Sequence, residues 1–288
     1  MMTRSGLPSS SCADARAEPD VSRILATVFL ILIASPSPTV TADEAAPVFI
    51  AIVIDDMGDR LDLGRRALGL PAQVAYAMLP HTPHARALAE AAHAQGHEIL
   101  LHQPLEAVEP GPLGPGAIVL RTGRAGMERT LQENIDSIPH VVGINNHMGS
   151  QLTRHPEYMR WLMAALRDRG DLYFIDSRTT AETLAFDSAR DAGVPSIERD
   201  VFLDADPSSE AVAVEFERLI EVARRDGYAL GIGHPFPATL AHLELALADL
   251  ESEGIRLVSP SRLIEIAETT EADGWRMSSS RSPQASKN

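Results

Sequence analysis

Cysteine is nearly missing from this 288-residue chain, and the single thiol, Cys12, stands ahead of the most apolar run. One such residue excludes an intramolecular disulfide, and its place upstream excludes a lipid-modified cysteine after that run. Aromatic side chains make up only 5%, which leaves few platforms for stacking sugars. Basic residues are outnumbered 25 to 40 by acidic ones, for a formal net charge of -15, and no basic run exceeds two residues. The electrostatic footprint of a nucleic-acid binder is therefore absent.

Long hydrophobic runs are scarce as well. The longest, ILATVFLILIA from Ile24 to Ala34, has about eleven residues, too few to cross a bilayer comfortably. Arg23 precedes it, and the breaker-rich SPSPTVTADEAAP follows, with small residues at Val40-Thr41-Ala42. This pattern predicts a secretory signal peptide or presequence over 1–42 and export, to the periplasm, with an uncleaved anchor as the alternative. Membrane contact is expected only through that segment.

What remains is rich enough in apolar residues, 44% of the chain, to bury the core of one α/β domain. From Pro47 short β-rich runs alternate with helical patterns. Strands are predicted at Val48–Ile54, Gln73–Met78, Glu98–His102, Val141–Asn145, Leu172–Asp176, Ser196–Glu198, Tyr228–Ile232 and Arg256–Val258. Helical spacing covers Leu61–Leu68, His84–Ala94, Arg124–Ser137, Pro156–Asp168, Thr180–Ala192, Glu210–Arg225 and Ala238–Glu253. Serial βα units with right-handed crossovers give either an open doubly wound sheet or a barrel. The domain is assigned to 43–267, and the polar stretch 268–288, with its lone Trp275, is expected to be disordered.

Chemically capable residues fall at the carboxyl ends of these strands, where parallel α/β folds build their sites. Asp55 and Asp56 end the first strand; His102 ends the third, with Glu106 in its loop; Asn145, Asn146 and His147 end the fourth; Asp176 ends the fifth; His234 follows the next to last. Taken alone, the paired acids could cap a helix, and His81, His84, His93, His140, His155 and His242 are assigned to structural or surface roles. Aspartate and histidine together suit Zn²⁺ or a similar divalent ion. A cation would offset the repulsion of an adjacent carboxylate pair and leave one aspartate free as a base.

The segments IAIVIDDMG, GHEILLHQPLE, VGINNHMGSQLT, FIDSRTT and GIGHPFPATL, in this order, resemble the divergent polysaccharide deacetylase family, a branch related to the metal-dependent carbohydrate esterases. The resemblance implies a deformed (β/α) barrel of about seven parallel strands. It also implies an exported metal-dependent hydrolase that removes acetyl groups from a polysaccharide or cell-envelope glycan, with a divalent metal, zinc by expectation. On the matching positions it makes Asp55 the base, Asp56 and His102 metal ligands, and His234 the acid. The second metal histidine of the better-characterised deacetylases would fall on Glu106, and their Arg-Pro-Tyr motif is replaced by NNHMGS. His147 is therefore expected to supply the missing imidazole, with Glu106 as a substitute ligand or as an orienting neighbour. The metal, with a backbone N–H or the Asn145 or Asn146 amide, would stabilise the oxyanion. Asp176, Arg178 and Asp200 would orient the histidines or contact sugar hydroxyls, with buried ion pairs as the alternative. Two other readings stay open: a non-catalytic protein that binds glycan or an envelope partner, and a two-carboxylate glycoside hydrolase.

Overall fold

The computed structural model describes residues 47–109 and 111–279, the side chains of 271–279 excepted. The predicted presequence, 1–42, and the end of the predicted tail lie outside the described residues. Eight parallel strands follow the order β6-β5-β4-β3-β2-β1-β8-β7, and β9 pairs with β1 beside this path. They are β1 Val48–Met57, β2 Ala75–Met78, β3 Ile99–Leu105, β4 Val141–Met148, β5 Tyr173–Asp176, β6 Ser196–Glu198, β7 Val201–Phe202, β8 Tyr228–Gly233 and β9 Ile255–Leu257. The helices are α1 Leu61–Ala67, α2 Ala85–Ala94, α3 Gly123–Ser137, α4 Pro156–Arg169, α5 Ala185–Ala192, α6 Ser209–Asp226, α7 Pro237–Asp249 and α8 Pro260–Ser279.

The strand count exceeds the expected seven because the sixth β-rich stretch does double duty. β6 and β7 form the two edges of the path, yet only Arg199 and Asp200 separate them in sequence. Arg199 donates its backbone N–H to Asp176 O on β5 at 2.9 Å, and Asp200 donates to Leu230 O on β8 at 3.0 Å. One short stretch of chain thus hydrogen-bonds to both edges and draws the curled sheet together, the deformed barrel that the resemblance implies.

Alternation along β1 explains the two cores. Ile50, Ile52 and Ile54 face one large cluster with the surrounding helices, whereas Ala51 and Val53 join a second cluster with Ala75, Ala77, Leu100, Ile175 and Leu230. Small residues suit the narrow inner face. Leu263, Ile264 and Ala267 of α8 complete this inner cluster, so the last helix fills the barrel from below. Glu98 anchors it, accepting from the backbone N–H of Ser261 at 3.2 Å, from the Ser261 hydroxyl, and from the Tyr173 hydroxyl at 2.7 Å.

Two boundaries differ from the sequence prediction. α8 runs on to Ser279, through the first part of the stretch assigned to a disordered tail; its apolar face against the inner core holds the helix that composition alone did not reveal. α5 begins at Ala185 rather than Thr180, because the Asp176 carboxylate takes hydrogen bonds from Thr183 Oγ1 at 2.8 Å and Phe186 N at 3.2 Å. Those bonds hold the preceding residues in a turn, the competition that short polar groups offer to helix. Among the described residues no helix is long and apolar enough to cross a membrane.

Candidate metal centre and active site

β1 carries its two acids to the mouth of the barrel, and the backbone there is unusual. Asp56 has φ 54°, in the left-handed region that non-glycine residues seldom enter, and the pairing register with β2 shifts between Ile54 and Met57. In a regular strand adjacent side chains point to opposite faces. Here both carboxylates approach one nitrogen: His102 Nε2 lies 3.3 Å from Asp56 Oδ1 and 3.6 Å from Asp55 Oδ2.

β3 and β4 supply the imidazoles. His102 pairs with Asn145 across the parallel ladder, so Asn145 and His147, two residues apart, share its face. Asn145 donates Nδ2–H to Asp55 Oδ1 at 2.7 Å, which turns its Oδ1 to His102 Nδ1 at 2.8 Å. Nδ1 of His102 therefore carries the hydrogen, and Nε2 presents a lone pair to the cluster. His147 Nδ1 stands 3.1 Å from that nitrogen and 3.0 Å from Asp56 Oδ1.

Three ligand atoms thus converge, Asp56 Oδ1, His102 Nε2 and His147 Nδ1, all within 4.8 Å of one another. Their closest separations, 3.0, 3.1 and 3.3 Å, match the edges of a coordination shell with bonds of about 2.0–2.1 Å. Asp56 Oδ1 is buried and has no hydrogen-bond partner of proper geometry. A buried carboxylate oxygen set against two ring nitrogens is costly unless a proton or a cation sits among them. The donor set, one carboxylate and two imidazoles, fits a divalent ion such as Zn²⁺ with positions left open.

The electrostatics agree. Burial alone would raise the Asp56 carboxyl, but His102 and His147 outweigh it and hold the group far below the usual range. Burial would lower His102, yet Asp55 and Asp56 push it up to about 9. The field that retains a proton there is the field that retains a cation. Asp55 is raised, chiefly by burial, against the opposing pull of His102, His234 and Asn145.

His234 completes the rim from the end of β8, whose Gly233 pairs with Ile54 of β1. Its Nε2 is 3.7 Å from Asp56 Oδ2, and its Nδ1 donates to Asp204 Oδ1 at 2.9 Å. Asp204 also accepts from the His234 backbone N–H at 2.6 Å and from Thr239 Oγ1 at 2.7 Å. Gly233 permits this approach, since a Cβ at that position would meet Asp204 Oδ2 at 3.2 Å. Burial would lower His234, but Asp204 and the rim aspartates reverse the direction and raise it. Sequence reading missed Asp204; the available signal was a carboxylate in VFLDAD, shortly after the predicted strand Ser196–Glu198.

Other predicted residues serve the protein's own framework. Glu106 points its Oε2 to Leu120 N at 2.6 Å, tying down the loop after β3, and lies outside the converging ligand group. Asn146 donates to Met148 O at 2.7 Å and accepts from Ser177 N at 2.9 Å, and Asn145 donates to Asp55, so each amide is held in place by one of its two N–H groups. Asp176 accepts from the backbone N–H groups of Arg178 and Phe186, and Asp200 from Leu230 N at 2.8 Å. Among the described residues these two carboxylates thus serve the backbone beside the cleft, while Asp55 and Asp56, adjacent on one strand, cannot straddle a glycosidic bond. Arg178 pairs with Glu198 at 3.2 Å and reaches the cleft wall.

The histidines assigned to structural roles stand elsewhere. His81 meets Asn134 at 2.9 Å, His140 meets Glu90 at 2.8 Å and stacks on His93 with ring centroids 3.8 Å apart, and His155 meets Gln151 at 3.2 Å. His84 precedes α2, and His242 packs edge-on to Phe216. A cavity of about 450 Å³ opens over the cluster, with Asp55, Asp56, His102, His147 and His234 in its lining.

Comparison with known proteins places this geometry in a lineage. The sequence model of the family described as divergent polysaccharide deacetylase matches residues 52–264. The uncharacterised protein YibQ of Escherichia coli (strain K12) is 38% identical over 236 residues, covering 82% of this chain and 72% of that protein. An uncharacterised protein of Haemophilus influenzae is 36% identical over 214 residues, 74% of this chain and 76% of the relative. A crystal structure of an uncharacterised protein from Agrobacterium tumefaciens C58 superposes with a TM-score of 0.71 at 24% identity, covering 76% of this chain and 90% of that one, and shows the same fold. The chain belongs to the divergent polysaccharide deacetylase family.

Proposed function

We propose that this protein is an exported, metal-dependent hydrolase that removes acetyl groups from a polysaccharide or cell-envelope glycan. The observation that carries this reading is the convergence of Asp56, His102 and His147 on one point, flanked by a buried carboxylate and a buttressed imidazole. Mere glycan binding requires no base beside a ligand set.

Asp56, His102 and His147 would hold the divalent ion, which when bound polarises the acyl carbonyl and makes the attacking water more acidic. Asp55 keeps Oδ1 on Asn145, so Oδ2 is the atom that takes the proton from that water. His234 keeps Nδ1–H on Asp204, so Nε2 is the atom that delivers a proton to the departing amine or alkoxide. Against the opposing effect of burial, its contact with Asp204 and the nearby rim aspartates raise its pKa, which favours the protonated, donating form. The predicted signal segment supplies the export part of the proposal.

Elemental analysis after incubation with zinc, combined with an assay for acetate release from acetylated chitooligosaccharides and peptidoglycan fragments, tests the reading. Near-stoichiometric metal and acetate release are expected. Protein that retains no metal overturns the hydrolase, and metal retained without acetate release from any acylated glycan leaves a binding protein on the same fold.

A further inference from the structure

The acidic chain presents a basic wall to its cleft. Arg178 and Arg199 line the same cavity as Asp55, Asp56 and His234, and Arg218 adjoins them in a shallower cavity beside it. Arg199 sits on the segment that joins the two sheet edges. It donates Nε to Ser177 O at 2.7 Å and Nη2 to Arg178 O at 2.9 Å, and stacks 4.8 Å from the Phe202 ring centroid. Among the described residues it forms no ion pair with a carboxylate, and its Nη1 has no hydrogen bond.

A guanidinium fixed by two carbonyls and a ring is a preorganised donor, and its half-buried charge feels Asp55, Asp176 and Asp200 only at a distance, with none of them in ion-pair contact. Nearby acids are engaged elsewhere: Asp176 and Asp200 by backbone N–H groups, Asp55 by Asn145. Arg178 is held beside it with φ 47°, a left-handed backbone fastened by its N–H to Asp176 Oδ1 at 2.8 Å. Strain of this kind at a cleft edge is characteristic of functional positions. The Arg178 contact to Glu198 is solvent-exposed, hence weak, and leaves the side chain able to turn to a ligand.

We propose that Arg178 and Arg199 bind an anionic substituent, a carboxylate or a phosphate, carried by the acylated sugar, so that the substrate is an acidic glycan; this rests on the acyl-hydrolase reading above. The forked donors select for oxyanion geometry, and the wall stands in the same cavity as the reacting group.

The test is calorimetric titration of zinc-loaded and metal-free protein with N-acetylglucosamine, N-acetylmuramic acid and N-acetylglucosamine 6-phosphate. One acidic sugar is expected to bind about tenfold or more tighter than the neutral one, with the advantage shrinking as salt rises and persisting without zinc. Which of the two wins separates carboxylate from phosphate. Arg178→Gln and Arg199→Lys should each remove most of the preference, the second because lysine keeps the charge and loses the fork. Arg178 is exposed, so its variant keeps the fold even where a change at Arg199 disturbs the seam. Equal binding of the three sugars, binding of none, or a preference that survives both substitutions overturns the proposal. Acetate release measured on the same samples separates the two ideas: preference without release sinks the hydrolase alone, and release without preference sinks the acidic-glycan inference alone.

Discussion

Asp204 grips His234 at two points, taking the backbone N–H on one carboxylate oxygen at 2.6 Å and the ring Nδ1–H on the other at 2.9 Å. The imidazole is thereby fixed in both tautomer and direction, with Nε2 turned to the cleft. If the proposed acyl hydrolysis runs through His234 as its acid, Asp204→Asn should lower its rate by about 10²-fold or more. Metal content should not change, because Asp204 touches none of the three ligands. Steady-state kinetics beside elemental analysis decides it, and a variant that loses both metal and activity would contradict the division of labour.

His147→Ala and Asp56→Ala each remove one of three converging donors. Loss of an outer-shell partner alone typically costs about 10–100-fold in metal affinity, and a direct ligand should cost more. Competition with a chromophoric chelator measures this; unchanged zinc affinity in His147→Ala would remove that residue from the site.

Glu106→Ala discriminates between a ligand and a loop tether. The Oε2 contact to Leu120 N predicts unaltered zinc affinity with a stability loss of about 1.5–3 kcal/mol, the range for hydrogen bonds to charged groups. Chemical denaturation gives the second quantity. A large fall in zinc affinity would restore Glu106 to the coordination shell.

His97 provides a pH dependence away from the cleft. It is buried, donates Nδ1–H to Val74 O at 2.9 Å, and lies against the Tyr76 ring. Burial lowers its pKa, against a smaller opposing effect of the Val74 carbonyl. A histidine depressed in the folded state binds protons more readily when unfolded, so stability rises with pH. The contribution is complete above the ordinary imidazole value of about 6.5 and is lost as pH falls through it toward the folded value. His97→Gln should flatten the stability profile across that window relative to the parent; parallel profiles would show His97 titrating normally.

Leu263 of α8 is fully buried in the inner cluster. Its truncation to alanine should destabilise the domain by about 2–5 kcal/mol, as for other buried leucines. A change near zero in denaturant unfolding would mean that α8 does not fill the barrel.

Much of this was legible in the sequence because parallel strands buried on both faces read as apolar runs, and because the rim residues follow those runs directly. Asp55, Asp56, His102, His147 and His234 could be placed together from the ends of four strands. Asp204 and Arg199 could not, since β7 is only two residues long and carries no periodicity. α8 escaped notice for a related reason: Leu263, Ile264 and Ala267 acquire their meaning only from an inner surface assembled by strands far away in sequence. For Glu106 the matching position leaves ligand and orienting neighbour open, because it does not reveal where a carboxylate turns when the Leu120 backbone N–H is near.

Among the described residues, the helix that fills the barrel follows in sequence every strand it covers. During synthesis the strands up to β9 emerge before Leu263 does, so their inner faces, Ala51, Val53 and Leu230 among them, stay uncovered until α8 follows. Exposed inner faces are adhesive, and a nascent chain at that stage is a client for holding factors. The rim at the top of the barrel thus rests on strands whose inner faces are closed from below by Leu263, Ile264 and Ala267.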